Sequence, residues 1–241
     1  MSKEDARRVI DPELADAAHY RTGKNIGYVS YPITGGQHNN FGMFMCHPGT
    51  WQHYPSISAK SSKAELIARI QDDDFRELAN LLGDELLVWA LYDLADCPPP
   101  MYAKGRVAIV GDAAHACTPN LGAGAGISIE DATVLAELLK EVHEYSGANN
   151  QQLYQKLEAA LAVYSDARVK RGQWLVSTSR RLGVYNLGGS VDGRAWTWAD
   201  HQRETIEAYN ILWRDHIDDM IAAAKEDYRA RTTSERLLAY L

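Results

Sequence analysis

Residues 105–126 carry the stretch that decides the fold, GRVAIVGDAAHACTPNLGAGAG. Its first part, Gly105–Val110, is almost wholly apolar, which predicts a short strand covered on both faces. Gly111-Asp112 ends that strand. Beyond the glycines, helical spacing is kept by a set of apolar residues: Ile129, Ala132, Leu135, Leu138, Leu139 and Val142. The sequence therefore predicts a strand, a loop of small residues and an amphipathic helix in direct succession.

The loop between this strand and helix is rich in glycine and alanine, which leaves room for a flat ligand close to the backbone. Gly122, Gly124 and Gly126 fall where the helix starts, so unpaired amide N–H groups and the positive end of the helix dipole lie there. Such a terminus favours an anionic oxygen. Asp112, at the carboxyl end of the strand, is placed to accept hydrogen bonds from sugar-like hydroxyls. These residue types predict a nucleotide or flavin site.

The order of these features resembles a flavin motif of the FAD-dependent aromatic-ring monooxygenases, most closely those of the salicylate hydroxylase type. The matching residues are Gly105–Val107, Gly111–His115, Pro119, Gly122–Gly126 and Ile129–Ala132. The resemblance implies that Asp112 binds the ribityl chain and the neighbouring phosphate. It also implies that Pro119 lies beside the isoalloxazine ring and that the glycine-rich helix start approaches the pyrimidine edge. The residues it assigns to FAD are Gly111, Asp112, Ala113, Pro119, Gly122, Ala123, Gly124, Ala125 and Gly126.

A predicted β-hairpin precedes this motif. Ile26–Ile33 and Phe41–Cys46 are rich in β-branched and aromatic residues, and turn residues separate them. The hairpin resembles the one that walls the substrate cavity in the same family. The resemblance supplies the substrate-pocket candidates Tyr31, Pro32, Gly35, His38 and Asn40. From the residues alone, aromatic side chains in this region fit an ordinary sheet core at least as well as a pocket.

The remaining elements follow from periodicity and turn residues. The patterns predict a helix over Lys63–Leu82 with a break near Asp72, a strand over Leu86–Leu94, long helices over 151–182 and 203–231, and a loop over Gly183–Gly193. Residues 1–22 are weakly patterned and predict a flexible start or a separate strand and loop. A solvated helix face is predicted for Arg168, Arg171, Arg180 and Arg181. His115 either touches the cofactor or makes a structural hydrogen bond within its turn.

Together these elements predict a mixed α+β or α/β fold, the C-terminal half of an FAD/NAD(P)-binding monooxygenase fold. Residues 1–100 are expected to form a partial substrate-binding β-sheet layer with one or two helices, 101–145 the flavin-contacting strand, loop and helix, and 146–241 a C-terminal helical region. The sequence lacks the G-x-G-x-x-G signature that binds the ADP half of FAD in this family. We therefore expect a truncated form that binds FAD weakly by itself, or one completed by a chain that supplies the nucleotide-binding unit.

Composition narrows the possible partners. The formal charge of -7 and a pI near 5.6, with scattered basic residues, argue against a nucleic-acid partner. No apolar run approaches the roughly 20 residues of a spanning helix, and no secretory pattern follows Met1. Three cysteines cannot form a fully paired disulfide framework, and the spacing of His38, His47 and His53 matches no strong zinc pattern. We expect a cytoplasmic protein with neither a metal site nor a membrane span.

The resemblance also implies an activity. In that family NAD(P)H reduces FAD, and O2 supplies the oxygen that hydroxylates a small aromatic substrate. No side-chain nucleophile is required, because the cofactor carries the chemistry while the protein supplies position and electrostatics. Two alternatives stay open. One is a non-catalytic binding or scaffold remnant, which the missing G-x-G-x-x-G favours, and the other is a flavin oxidoreductase of a different reaction type.

Overall fold

The computed structural model describes residues 1–47, 49–143, 149–191 and 193–238, with side chains up to residue 233. The chain forms two compact units. Unit 1 comprises Met1–Leu91 and Val184–Trp196, and unit 2 comprises Tyr92–Gly183 and Thr197–Leu241. Residues 101–145 thus share a unit with most of the C-terminal helices, and the chain does not divide at residues 100 and 145. The roles assigned to the three predicted segments stay predictions.

The described residues form strands and helices in alternating groups. The strands are β1 (His19–Gly23), β2 (Ile26–Ile33), β3 (His38–Met45), β4 (Ser58–Ser62), β5 (Glu85–Trp89), β6 (Ala103–Lys104), β7 (Val107–Ala108), β8 (Ser190–Val191) and β9 (Arg194–Ala195). The helices are α1 (Lys3–Val9), α2 (Pro12–Ala15), α3 (Lys63–Arg69), α4 (Asp73–Asn80), α5 (Asp112–His115), α6 (Gly124–His143), α7 (Asn150–Asn186), α8 (Trp198–Arg214) and α9 (Ile217–Leu238). None of the described helices has the length and apolar character needed to cross a membrane.

Unit 1 is built on an antiparallel sheet in the order β1-β2-β3, and β4 pairs with β5 in a second sheet. β2 and β3 form the predicted hairpin, joined through a short 3-10 turn. The helix predicted over Lys63–Leu82 is divided into α3 and α4 at the expected break, where Asp72 caps α4. The core of this unit consists of Ala6, Ile10, Ala15, Ile26, Tyr28, Ile70, Phe75, Leu78 and Ala79.

The prediction of a flexible start, or of a strand and loop alone, over residues 1–22 was wrong for its first part. α1 and α2 place Ala6, Ile10 and Ala15 in the core. Both helices are too short for apolar periodicity to reveal, and their local signals are caps: the Ser2 and Asp11 side chains each accept a hydrogen bond from a first-turn amide. The alternative of a strand within residues 1–22 agrees with β1, which lies at the end of this segment.

Unit 2 is mainly helical, and α6 and α9 are in extensive contact. The short antiparallel pair of β6 and β7 precedes α5 and α6 along the chain. The core of unit 2 consists of Tyr102, Ala114, Val134, Leu138, Val142, Ala160, Val163, Tyr164, Ala224 and Tyr228. The buried face of α6 is rotated from the predicted stripe: Ile129 is 67% exposed, whereas Ile127, Asp131 and Val134 are buried. A buried aspartate breaks the apolar pattern, so periodicity placed the start of the stripe on the wrong residues, whereas Leu138 and Val142 are buried as predicted.

Three further boundaries differ from the prediction. The strand expected over Gly105–Val110 is only two residues long, and its prediction as covered on both faces was wrong, because Val107 is 71% exposed and β7 pairs only with β6 within the described residues. α7 continues past the predicted loop start as far as Asn186. The single helix predicted over 203–231 is interrupted at Asp215, which has extended backbone angles.

Candidate functional site

The turn at Gly111 sets the first part of the predicted cofactor site. Gly111 has φ +61° and ψ −138°, and a Cβ there would lie 3.3 Å from the Ser128 hydroxyl oxygen, so only glycine fits without strain. The turn leads directly into α5, whose first residue is Asp112. The Asp112 side chain is exposed and makes no hydrogen bond or ion pair with the described residues. Its carboxylate is therefore free to accept hydrogen bonds from a ligand.

The start of α6 forms the second part. Ile127 N–H donates to the Ala123 carbonyl (2.9 Å), the first helical hydrogen bond, which leaves the amides of residues 124–126 without helical acceptors. A Cβ on Gly122 or Gly126 would meet nothing within 4 Å, so open space lies against both glycines. The first turn of α6 carries no acidic side chain. This terminus therefore favours negative charge and leaves room for a ligand against the backbone.

The loop between these two parts is held by α7. The Ser179 hydroxyl donates to the Thr118 carbonyl, and the Thr118 hydroxyl donates to Ser179 Oγ (3.2 Å). The Asn120 side-chain amide donates to Thr118 Oγ1 (2.9 Å). Asn120 also packs closely against α7 at Gly183, where a Cβ would lie 3.2 Å from Asn120 Cγ. These contacts fix the short turn at Pro119–Leu121, on which Pro119 is exposed.

A buried ionic cluster lies beneath the Gly111 turn and is centred on Asp131. Asp131, His115 and Arg168 are at most 1% exposed. The Asp131 carboxylate accepts hydrogen bonds from the Gly111 amide (3.3 Å), His115 Nε2 (2.6 Å) and Arg168 Nε (2.7 Å). Burial alone would raise the pKa of Asp131, but the hydrogen bonds from His115 and Arg168 hold it below its ordinary value, so the carboxylate is charged. His115 is thus a structural residue.

The cluster continues from α6 through α7 towards the end of α8. Glu130 accepts hydrogen bonds from Arg168 Nη2 (2.8 Å) and from Arg171 Nε (2.6 Å) and Nη2 (2.7 Å). Arg171 Nη1 also donates to Asp215 (2.6 Å). The predicted solvated face is therefore wrong for Arg168 and Arg171, which are buried, because each guanidinium has carboxylate partners that compensate its desolvation. Arg180 and Arg181 are only partly exposed and are paired with carboxylates, Arg180 with Asp93 and Asp96 and Arg181 with Glu204.

The sequence analysis gave Asp131 no role of its own and assigned Arg168 to a solvated face, so it missed this pair. One signal could have found them. Ile127, Asp131, Val134 and Leu138 are spaced as one face of a helix, so an aspartate within that face requires a buried partner. A basic residue on the neighbouring long helix was the obvious candidate.

The substrate-pocket candidates belong to unit 1, whereas the cofactor residues belong to unit 2. Tyr31 and Asn40 are register partners in β2 and β3, and His38 stands opposite Ile33 next to the turn that contains Gly35. The structure therefore brings Tyr31, Pro32, Gly35, His38 and Asn40 to one end of the hairpin, and their role in a pocket stays a prediction. Tyr28 and Phe41 contact each other as part of the sheet core.

Two other features bear on the chemistry of the site. Burial, reinforced by the charges of Asp112 and Asp93, raises the pKa of the Cys117 thiol to about 11, so this loop thiol is neutral near pH 7. Within the described part of the chain, no group of three or more His, Cys, Asp or Glu side chains is arranged to hold a metal ion. An open groove of about 740 Å³ runs along α8, but none of the nine predicted cofactor residues lines it.

Three features of this region fit an anionic cofactor with hydroxyl groups, as expected of a flavoprotein. They are the exposed aspartate after the glycine turn, the helix N-terminus without acidic side chains and the open space at two glycines. The comparison with known families agrees, since the model of the FAD binding domain family matches residues 57–177, half of the chain. This chain belongs to the FAD-dependent monooxygenase family. The family resemblance, based on the matching residues between Gly105 and Ala132, is thereby confirmed, while the individual cofactor contacts stay predictions.

Several relatives share most of this chain. An FAD-dependent monooxygenase of Aspergillus terreus (strain NIH 2624 / FGSC A1156) is 35% identical over 229 residues, which cover 93% of this chain and 51% of the relative. The salicylate hydroxylase asL1 of Sarocladium schorii is 32% identical over 243 residues, which cover 96% of this chain and 50% of the relative. The chain spans about half the length of the curated relatives it matches.

The fold is also found among solved structures. A salicylate hydroxylase in a substrate complex superposes with a TM-score of 0.78 at 24% identity, covering 92% of this chain and 54% of that chain. The predicted fold class, part of an FAD-dependent monooxygenase fold with small sheets and long helices, is therefore confirmed.

Proposed function

We propose that this chain provides the flavin-contacting part of a monooxygenase that uses FAD, NAD(P)H and O2 to hydroxylate an aromatic or related small metabolite. The start of α6 carries the proposal, because its free amides and the open space at Gly122 and Gly126 suit the edge of a flavin ring. Relatives named as FAD-dependent monooxygenases and a salicylate hydroxylase support the reaction type.

The side chains of this region have distinct tasks in the proposed reaction. The Asp112 carboxylate accepts hydrogen bonds from the ribityl hydroxyls, and the amides of residues 124–126 stabilise negative charge at the pyrimidine edge. Bound FAD supplies the redox and oxygen chemistry. Cys117, kept neutral by its raised pKa, supplies no nucleophile. The chain thus contributes position and electrostatics.

Replacing Gly126 with leucine tests the cofactor site. The start of the new side chain would meet no described atom within 4 Å, and leucine is a better helix former than glycine, so the free energy of unfolding should not fall. The side chain would occupy the space assigned to the flavin, so FAD affinity should fall by at least about tenfold, or about 1.4 kcal/mol. Titration of flavin fluorescence and urea unfolding measure the two quantities.

Gly83→Leu is the matched control, because a Cβ at Gly83 also meets nothing within 4 Å and its backbone is not left-handed. It should leave FAD affinity unchanged. Equal FAD affinity in the Gly126→Leu variant and the parent chain would contradict the proposed site. The reaction type is tested separately by incubating the chain with FAD, NAD(P)H, isotopically labelled O2 and phenolic substrates. Label in the product supports hydroxylation, and flavin turnover without labelled product indicates another oxidoreductase reaction.

A further inference from the structure

We propose that Asp131, held by Arg168, is a positioning residue that fixes the Asp112 carboxylate and the first turn of α6 relative to each other. This inference rests on the proposed function, because it concerns the same cofactor site. Asp131 is fully buried, and it reaches the residues assigned to the cofactor through its hydrogen bond with the Gly111 amide. It acts through the backbone and side chains that carry the site, not through contact with the cofactor.

One carboxylate oxygen holds both ends of α5. Asp131 Oδ2 accepts from the Gly111 amide, just before Asp112, and from the ring of His115, the last residue of α5. A helix of four residues has little stability of its own, because helix nucleation is unfavourable and few hydrogen bonds compensate it. The direction of Asp112 therefore depends on these two anchors.

Arg168 connects the same cluster to the start of α6. Its Nε donates to Asp131 Oδ1 (2.7 Å), and its Nη2 donates to the Ile127 carbonyl (3.3 Å) in the first turn. Arg168 lies on α7. The Gly111–Asp112 turn, through Asp131, and the first turn of α6, through the Ile127 carbonyl, are therefore both attached to the same helix. The guanidinium also keeps Asp131 ionised, which preserves the acceptor for Gly111 and His115.

Stability alone does not explain this arrangement. Replacing a buried ion pair with apolar residues of similar volume is often neutral or stabilising, since the desolvation cost of both charges disappears. An apolar pair would fill the space of Asp131 and Arg168 but could not accept hydrogen bonds from Gly111 and His115. The double variant Asp131→Leu/Arg168→Met therefore separates packing from positioning.

The test measures two quantities on the full chain. Amide hydrogen exchange of residues 111–116 is followed without FAD, and the dissociation constant for FAD is measured by fluorescence titration. The double variant should exchange at least about tenfold faster in this segment, and its FAD affinity should be at least about tenfold weaker. The matched control Glu141→Leu/Arg229→Met removes another ion pair of α6, in which Arg229 donates to Glu141 (2.7 Å), and should change neither quantity.

The possible outcomes are distinguishable. Parent-like exchange of residues 111–116 in the folded double variant would overturn the positioning role whatever the FAD affinity. Failure of the parent chain to bind FAD would count against the proposed function, and exchange alone would then decide the role of Asp131. If the double variant does not fold, His115→Phe removes one anchor and keeps the ion pair. Faster exchange at residues 115–116 in that variant supports the inference, and unchanged exchange overturns it.

Discussion

Gly172, in the middle of α7, stands where two buried rings come close to the helix backbone. A Cβ at this position would lie 3.0 Å from Tyr102 Cζ and 3.0 Å from His115 Cδ2. Both rings are about 1% exposed, so neither can swing into solvent. The absence of a side chain at Gly172 is thus what allows His115 to reach Asp131.

Gly172→Ala should therefore destabilise the chain, even though alanine is the better helix former by about 1 kcal/mol. Overpacking of a rigid core typically costs about 1–3 kcal/mol, so we expect a net loss in the free energy of unfolding of up to about 2 kcal/mol. Urea unfolding measures it. Gly83→Ala, in open space, is the control that should show no loss, and a Gly172→Ala chain as stable as the parent would contradict the close contact.

At the level of single residues, the sequence was informative where chemistry is local. Gly111 and Asp112 were predicted to end the strand, and the structure places them in a glycine-only turn followed by an exposed carboxylate. Arg168 was assigned to solvent, because nothing local reveals that a carboxylate 37 residues away compensates its charge. Long-range charge pairing is a tertiary property, and a single sequence does not display it.

At the level of elements, the contact between α6 and α9 depends on ion pairs as well as on apolar packing. Glu137 accepts hydrogen bonds from Lys140 and from Lys225 (2.7 Å), which lower its pKa from 4.5 to about 2. Hydrogen bonds from Arg229 likewise lower the pKa of Glu141. Lys225 and Arg229 lie on α9, so these carboxylates connect the two helices.

Acid should consequently weaken unit 2. Both pKa values are lower in the folded chain than in the unfolded chain, so the stabilising contributions are complete above the ordinary value of 4.5. That of Glu137 is lost as pH falls towards about 2, and that of Glu141 is also lost in acid. Urea unfolding between about pH 7 and about pH 2 should show this decline. Glu137→Gln should flatten it, whereas Glu226→Gln, at an exposed position of α9, should not. An identical pH profile for parent and Glu137→Gln would refute the assignment.

Elements with strong periodicity or clear turn residues were predictable, and short capped ones were not. The hairpin of β2 and β3, the divided helix of α3 and α4 and the long α7 follow from their patterns. α1 and α2 are too short for a repeating stripe. The exposed β7 differs because an apolar run indicates a covered strand only when sheet neighbours are present on both sides.

At the level of the whole molecule, the proposed site corresponds to the flavin half of the cofactor. The sequence contains no G-x-G-x-x-G, and the predicted contacts are to the ribityl chain and the ring. We therefore expect FMN to bind the chain with an affinity within about tenfold of that for FAD, and ADP to bind far more weakly. Competition titrations measure this, with Gly126→Leu as the variant that should lose both flavins. Tight ADP binding would contradict the prediction.

The buried pair of Asp131 and Arg168 has a consequence for how related sequences diverge. Losing Arg168 alone leaves the buried Asp131 carboxylate without its guanidinium partner, and losing Asp131 alone leaves Arg168 with Glu130 as its remaining carboxylate partner. Breaking a buried ion pair from one side costs roughly 3–5 kcal/mol, which exceeds what a marginally stable protein tolerates easily. Changing both at once avoids that cost. Across lineages these two positions, 37 residues apart, are therefore expected to covary: single replacements are lost, and paired replacements are kept where another side chain still accepts the hydrogen bonds of Gly111 and His115.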